Sequence, residues 1–207
     1  MMVKYFGVNI KQKPDGLKLT RDNYIKVSNK SSFRNREVYS DEYIKRQNEN
    51  SLYNYDLNMN YFRSLSKEEF NKELINFINK NEAFKEISDL APLSNISGYY
   101  MMVLDEYSQV YIGQTSQIKE RIQSHWSKQK EFDRLIFGGK EKSILSIDSF
   151  RAHDTTRIFV SPTNESLELE EGFIDSFNGE YILNRTKGGA LSGLIEAIIN
   201  RKTRELR

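Results

Sequence analysis

The chain contains no cysteine, which excludes disulfides and thiolate-bound metals. Any metal must be held by oxygen or imidazole nitrogen, a donor set that suits a hard ion such as magnesium. No apolar run approaches the ~20 residues needed to cross a bilayer, and Met1-Met2-Val3-Lys4-Tyr5-Phe6 lacks the apolar stretch of a secretory signal. A soluble, cytoplasmic protein without membrane contact is expected. No internal repeat, low-complexity linker, zinc-finger spacing or helix-turn-helix pattern stands out, so no motif names a target sequence.

What is present argues for a packed core. Of 207 residues, 38% are apolar, with 12 Phe and 12 Tyr, too many for a disordered chain. The net charge of +2 is small, but the basic residues gather at the ends. Residues 1 to 46 hold 11 Lys or Arg against 5 acids, interleaved with Tyr5, Phe6, Tyr24, Phe33, Tyr39 and Tyr43. From Asn184 to Arg207 there are six bases and two acids. Such ends suit a polyanion, because phosphate neutralisation releases counterions and aromatic rings stack on bases. An ordinary solvated surface has the same composition.

The asparagine-rich stretch Asn48 to Asn60 mixes turn formers with aromatics and reads as an ordered loop. Ser66-Lys67-Glu68-Glu69 is a capping box, and Phe70, Leu74, Phe77 and Ile78 then recur at helical spacing, which predicts a helix over Lys67 to Asn79. Pro92 and residues 94–97 close this first part. Residues 1–95 are expected to form an N-terminal extension of mixed and helical structure that helps select a target, and residues 96–207 a second unit.

From Gly98 the pattern changes to strands. Tyr99 to Leu104 and Gln109 to Ile112 are apolar and aromatic, with Asp105-Glu106-Tyr107-Ser108 as the turn. A two-residue loop would pair Tyr100 with Gly113 and Met102 with Tyr111, placing both tyrosines on one face; one residue more or less would reverse that parity. Thr115 or Ser116 can cap a helix over Ser116 to Lys130, whose Ile118, Ile122 and Trp126 face the sheet as core. Arg121 and His125, four apart, share an adjacent face. Thr155 to Val160 reads as a third strand. A helix carrying Leu167, Leu169, Phe173, Ile174 and Phe177 follows, with Glu168, Glu170 and Glu171 on it. A last, basic helix over Leu191 to Arg201 buries Leu194, Ile195, Ile198 and Ile199. Asp148, His153 and Asp154 are read as loop residues that cap turns.

Gly98-Tyr99-Tyr100, Tyr111-Ile112-Gly113, Arg121, His125, a helical glutamate and Asn184 occur in an order that resembles the GIY-YIG nuclease family, over about half the chain. The resemblance implies an α+β fold, a small antiparallel three-stranded sheet flanked by helices, and a metal-dependent cut in DNA, as in homing, restriction, repair and structure-selective members. It implies catalytic roles for Tyr100, Tyr111, Arg121, His125, Glu170 and Asn184. Tyr99 stands where the family usually has an aliphatic residue, a change expected to affect core packing alone. Glu170 is chosen as the metal ligand because it precedes Ile174 by four, with Glu168 and Glu171 left open. One Mg2+ or Mn2+ per site would act as Lewis acid. Gly113, Lys128, Arg185 and Lys187 are candidate substrate contacts, and the partner the resemblance implies is DNA, expected to be double-stranded. Monomer and homodimer are both compatible with this chain.

A free phenol, with a pKa of about 10, is a poor base at neutral pH. Tyr100 is therefore expected to be tuned downward by Arg121 and the metal and to pass its proton to His125, with Tyr111 orienting water or phosphate; the two tyrosine roles are interchangeable at this level. Phe132 to Lys140 and Ser146 to Arg151 would lie near the site and influence substrate preference. The competing readings are a nucleic-acid-binding module that kept the scaffold without turnover, and a structure-selective or RNA-directed nuclease.

Overall fold

A computed structural model of the protein describes residues 2–11, 15–25, 39–186 and 203–206. In chain order the elements are β1 (Met2–Tyr5), β2 (Val8–Lys11), α1 (Arg21–Tyr24), α2 (Asp41–Ser64), α3 (Lys67–Lys80), β3 (Lys85–Ile87), β4 (Gly98–Leu104), β5 (Gln109–Thr115), α4 (Ile118–Ser127), β6 (Arg157–Pro162) and α5 (Glu170–Ser176). The class is α+β. The expected helix Leu191 to Arg201, and Lys187, lie outside the described residues.

Strands β1 and β2 form a separate hairpin, and the main sheet is antiparallel in the order β3-β6-β4-β5. Four strands stand where three were expected. The additional strand is β3, which pairs Lys85, Glu86 and Ile87 with Val160, Phe159 and Ile158 of β6. It is three residues long and has no alternating pattern of its own. The buried Phe84 just before it anchors the segment to the core.

The register of β4 and β5 pairs Tyr100 with Gly113 and Met102 with Tyr111, as expected. The connection is four residues, with Ser108 in the left-handed region at φ 50°, and it keeps the same parity as a two-residue loop. Because β4 is buried at all seven positions, each face of the sheet must be covered. On one face Tyr100, Met102 and Leu104 join Ile118, Ile122 and Trp126 of α4, Tyr55, Met59 and Phe62 of α2, and Val8, Ile10, Leu17 and Leu19. On the other face Tyr99, Met101, Val103, Val110 and Ile112 meet Phe70, Leu74 and Phe77 of α3 and Ile174 and Phe177 of α5.

Helix α3 begins where expected, with the Ser66 hydroxyl accepting from the Glu69 amide at 3.2 Å. The asparagine-rich stretch is not a loop but the middle of the 24-residue α2. Its buried stripe, Ser51, Asn54, Tyr55, Asn58, Met59 and Phe62, has helical spacing, although half of it is polar. Asn54 donates to the carbonyls of Lys140 and Ser143, and Asn58 donates to Ser143 and accepts from the Leu145 amide. Long-range hydrogen bonds therefore override the local turn preference of asparagine. Helix α4 is shorter than expected: Thr115 accepts from the Gln117 amide in a local turn, which delays the start to Ile118. Helix α5 begins at Glu170, so Leu167 to Leu169 precede it in extended or irregular chain.

Candidate active site

The hairpin β4-β5 positions the two tyrosines. Their ring centroids lie 6.2 Å apart, and the His125 ring lies 6.0 Å from Tyr100 and 5.1 Å from Tyr111. Two glycines make this possible. A Cβ on Gly113 would lie 2.4 Å from the Tyr100 hydroxyl oxygen, so only glycine lets that ring cross the neighbouring strand. A Cβ on Gly98 would lie 2.4 Å from the Ser161 carbonyl oxygen, in a backbone conformation, φ 154°, that side chains rarely adopt.

Strand β5 is an edge of the sheet, so its outward amides and carbonyls need partners from elsewhere. Asn184, buried beneath it, supplies them at Ile112: its Oδ1 accepts from the amide at 3.1 Å and its Nδ2 donates to the carbonyl at 2.7 Å. The Leu183 amide donates to the Val110 carbonyl at 2.8 Å. The asparagine thus holds the residue between Tyr111 and Gly113 in place.

A cavity of about 590 Å³ opens over this face. Tyr100, Tyr111, Gly113, Arg121, His125, Glu170, Asn184 and Arg185 all line it. Residues drawn from four elements and a loop, and spread over 86 positions of sequence, converge on one space. Lys128 does not; it is exposed at the end of α4. Arg185 is present, but its guanidinium donates to the carbonyls of Ile144, Arg134 and Leu135 and works as a tether.

His125 is 3% exposed. Its Nε2 lies 2.8 Å from the Tyr100 hydroxyl and its Nδ1 lies 2.6 Å from Asp148 Oδ1. Burial pushes the His125 pKa down in spite of the Asp148 carboxylate. Burial pushes Asp148 the other way, but His125, Lys130 and Arg121 outweigh it and hold its carboxyl below the usual range. A mutual ion pair would raise the imidazole; the two directions together describe a neutral ring beside an ionised carboxylate. The assigned tautomer then has Nδ1–H donating to Asp148 and Nε2 accepting from the Tyr100 hydroxyl. Asp148, read from sequence as a turn cap, is the third member of this chain. No spacing could have revealed it, since it reaches His125 from a loop 23 residues on.

Tyr100 does not have the lowered pKa expected of it. Burial raises it well above 10, Tyr111 adds to the rise, and Arg121 offsets only part. Tyr111 is pushed up to about 12, chiefly by burial. Both phenols are therefore protonated at neutral pH. Tyr100 is 0% exposed, whereas Tyr111 is open in part to the cavity.

Of the three glutamates considered, Glu170 is buried and lines the cavity, while Glu168 and Glu171 are exposed. Burial lifts the Glu170 carboxyl to about 7, and Arg121 opposes the shift. Among the described residues it has no hydrogen-bond or ion-pair partner. A buried carboxylate without a partner is costly unless a cation or a proton neutralises it, so the site fits a divalent ion held by one carboxylate and otherwise by water and substrate oxygens. No cluster of three or more acidic or histidine ligands occurs among the described residues. The approach to Glu170 is fixed by Tyr99, whose hydroxyl accepts from the amides of Glu168 and Leu169 at 3.0 and 3.1 Å. The departure at Tyr99 thus has a consequence beyond packing.

Comparison with models of protein families, with curated proteins and with solved structures returned no match. No helix among the described residues is long and apolar enough to cross a membrane.

Proposed function

We propose that the protein is a divalent-metal-dependent DNA endonuclease of the GIY-YIG type, which hydrolyses phosphodiester bonds in the cavity over β4 and β5. The observation that carries this is the meeting of Tyr100, Tyr111, Arg121, His125 and Glu170 around a single cavity, with Asn184 behind the strand that bears Tyr111. Nothing in the packing of a small α+β protein calls for a buried glutamate that has no hydrogen-bond or ion-pair partner among the described residues and sits beside two phenols and a guanidinium.

Glu170 would hold Mg2+ or Mn2+, which when bound supplies Lewis-acid polarisation of the phosphate and stabilises the departing oxygen. Arg121, an exposed planar cation next to both phenols, binds the non-bridging phosphate oxygens. Tyr111, the phenol that faces the cavity, orients water or phosphate. Tyr100 already donates to the neutral His125, so it can surrender its proton to Nε2 as it takes one from the attacking water. Asp148 keeps the ring in the accepting tautomer and stabilises the imidazolium that forms, as the buried carboxylate does in serine-protease triads. The step requires the Tyr100 hydroxyl, sealed in the free protein, to meet that water once substrate is bound.

Incubation with supercoiled plasmid and Mg2+ tests the proposal. Wild type should give nicked or linear product, and Glu170→Ala and Arg121→Ala should give none above background. Binding without cleavage on every DNA tried would leave a nucleic-acid-binding module as the better description.

A further inference from the structure

Cations other than Arg121 line the same cavity, and one of them makes no hydrogen bond or ion pair among the described residues. Lys130 follows α4 by three residues and faces the cavity with Arg134 and Arg185. Among the described residues its ammonium makes no hydrogen bond or ion pair. The acids close to it in charge are already committed: Glu131 to Arg134 at 2.9 Å, and Asp148 to His125 at 2.6 Å. Asp133 also lines the cavity and opposes an anion there. Burial, with Arg185 beside it, pushes the Lys130 pKa down, and the charges of Asp148 and Glu131 offset that shift only in part. Such a group gains most from an anion that enters the cavity.

On the nuclease reading above, we propose that Lys130 binds a second backbone phosphate of the DNA strand, flanking the phosphate gripped by Arg121. Arg134 and the tethered Arg185 add positive potential around that position. The substrate is then a polynucleotide with phosphates on both sides of the cut, and Lys130 contributes to affinity without taking part in the chemical step.

The test is binding of a labelled DNA duplex, with EDTA present to prevent cleavage, followed by fluorescence anisotropy over a range of salt. Each phosphate neutralised contributes about 0.9 to the slope of log K against log salt for duplex DNA. Lys130→Gln should weaken binding and reduce the slope by about that amount. Lys130→Arg should retain the wild-type slope, which separates loss of a charge contact from a folding defect. Lys72→Gln, on the remote and exposed surface of α3, should change neither quantity. An unchanged slope in Lys130→Gln, with wild type binding normally, overturns the assignment of Lys130 alone. Absence of wild-type binding to any DNA removes the nuclease reading with it.

Discussion

Asp148 Oδ1 accepts from Nδ1 of His125 at 2.6 Å, and this contact decides which imidazole nitrogen is free to take a proton. Replacing Asp148 by Asn removes the negative charge that holds the His125 pKa up, so that pKa falls further. The chain has two histidines, His125 and His153, which makes an NMR titration readily assigned. In wild type the His125 midpoint should lie below 6.5, and in Asp148→Asn lower still. Turnover should drop by about 10²-fold or more. An unshifted His125 titration in the variant would remove Asp148 from the relay.

Gly113→Ala should be damaging for a reason specific to this hairpin. The new methyl would lie 2.4 Å from the Tyr100 hydroxyl, so the ring must move and its hydrogen bond to His125 must break. Overpacking of this kind costs about 1 to 3 kcal/mol. Chemical denaturation measures the stability loss, and plasmid nicking should be abolished while the far-UV spectrum stays native.

The pairing of β4 with β5 was legible from two apolar, aromatic runs separated by turn residues, and its register held because the four-residue connection has the parity of a two-residue loop. The stripe of Ile118, Ile122 and Trp126 was legible for the same kind of reason. Helix α2 was not. Its buried face carries Asn54 and Asn58, whose partners are 85 to 89 residues away, and a local window counts such residues as turn formers. Asp148 and Lys130 were equally hidden, since each acquires its meaning from a loop folded across α4. The spacing of Glu170 to Ile174 singles it out from Glu168 and Glu171, and burial distinguishes it in the same direction. The tuning of Tyr100 is not legible in the sequence, because a charge partner such as Arg121 can be read from sequence order, whereas complete burial cannot.

That loop depends on α2. Asn58→Ala would leave the buried Leu145 amide without its acceptor, while the Ser143 carbonyl keeps its hydrogen bond from Asn54, at a cost of about 1 to 3 kcal/mol. Thermal denaturation should register it. The variant should also lose cleavage activity at temperatures where it remains folded, because the segment from Phe132 to Asp148 carries one wall of the cavity. Activity equal to wild type would mean that the wall holds its place without α2.

Tyr99→Phe separates metal binding from the chemical step. The change removes the acceptor for the amides of Glu168 and Leu169, just ahead of Glu170, and costs about 1 kcal/mol of stability. The carboxylate should be held less firmly, so half-maximal cleavage should need more Mg2+, with the rate at saturating Mg2+ close to wild type. An equal loss of rate at every Mg2+ concentration would contradict a role in presenting Glu170.

Glu170 itself ties stability to pH with a defined sign. Its pKa is raised from 4.5 to about 7 by burial, so the folded state holds the proton more tightly than the unfolded chain does. Stability is then lost as pH rises from 4.5 towards 7, and above that the whole cost is present, on the order of 3 kcal/mol at 1.36 kcal/mol per unit. Glu170→Gln has no charge to bury. Without divalent ions it should melt above wild type at pH 8, and the difference should vanish near pH 4. Because Mg2+ needs the carboxylate, it should raise the wild-type melting temperature more at pH 8 than at pH 6 and leave Glu170→Gln unmoved. A glutamine variant less stable than wild type at pH 8 would mean that the carboxylate already has a partner in the folded protein, and the case for a metal at Glu170 would fall.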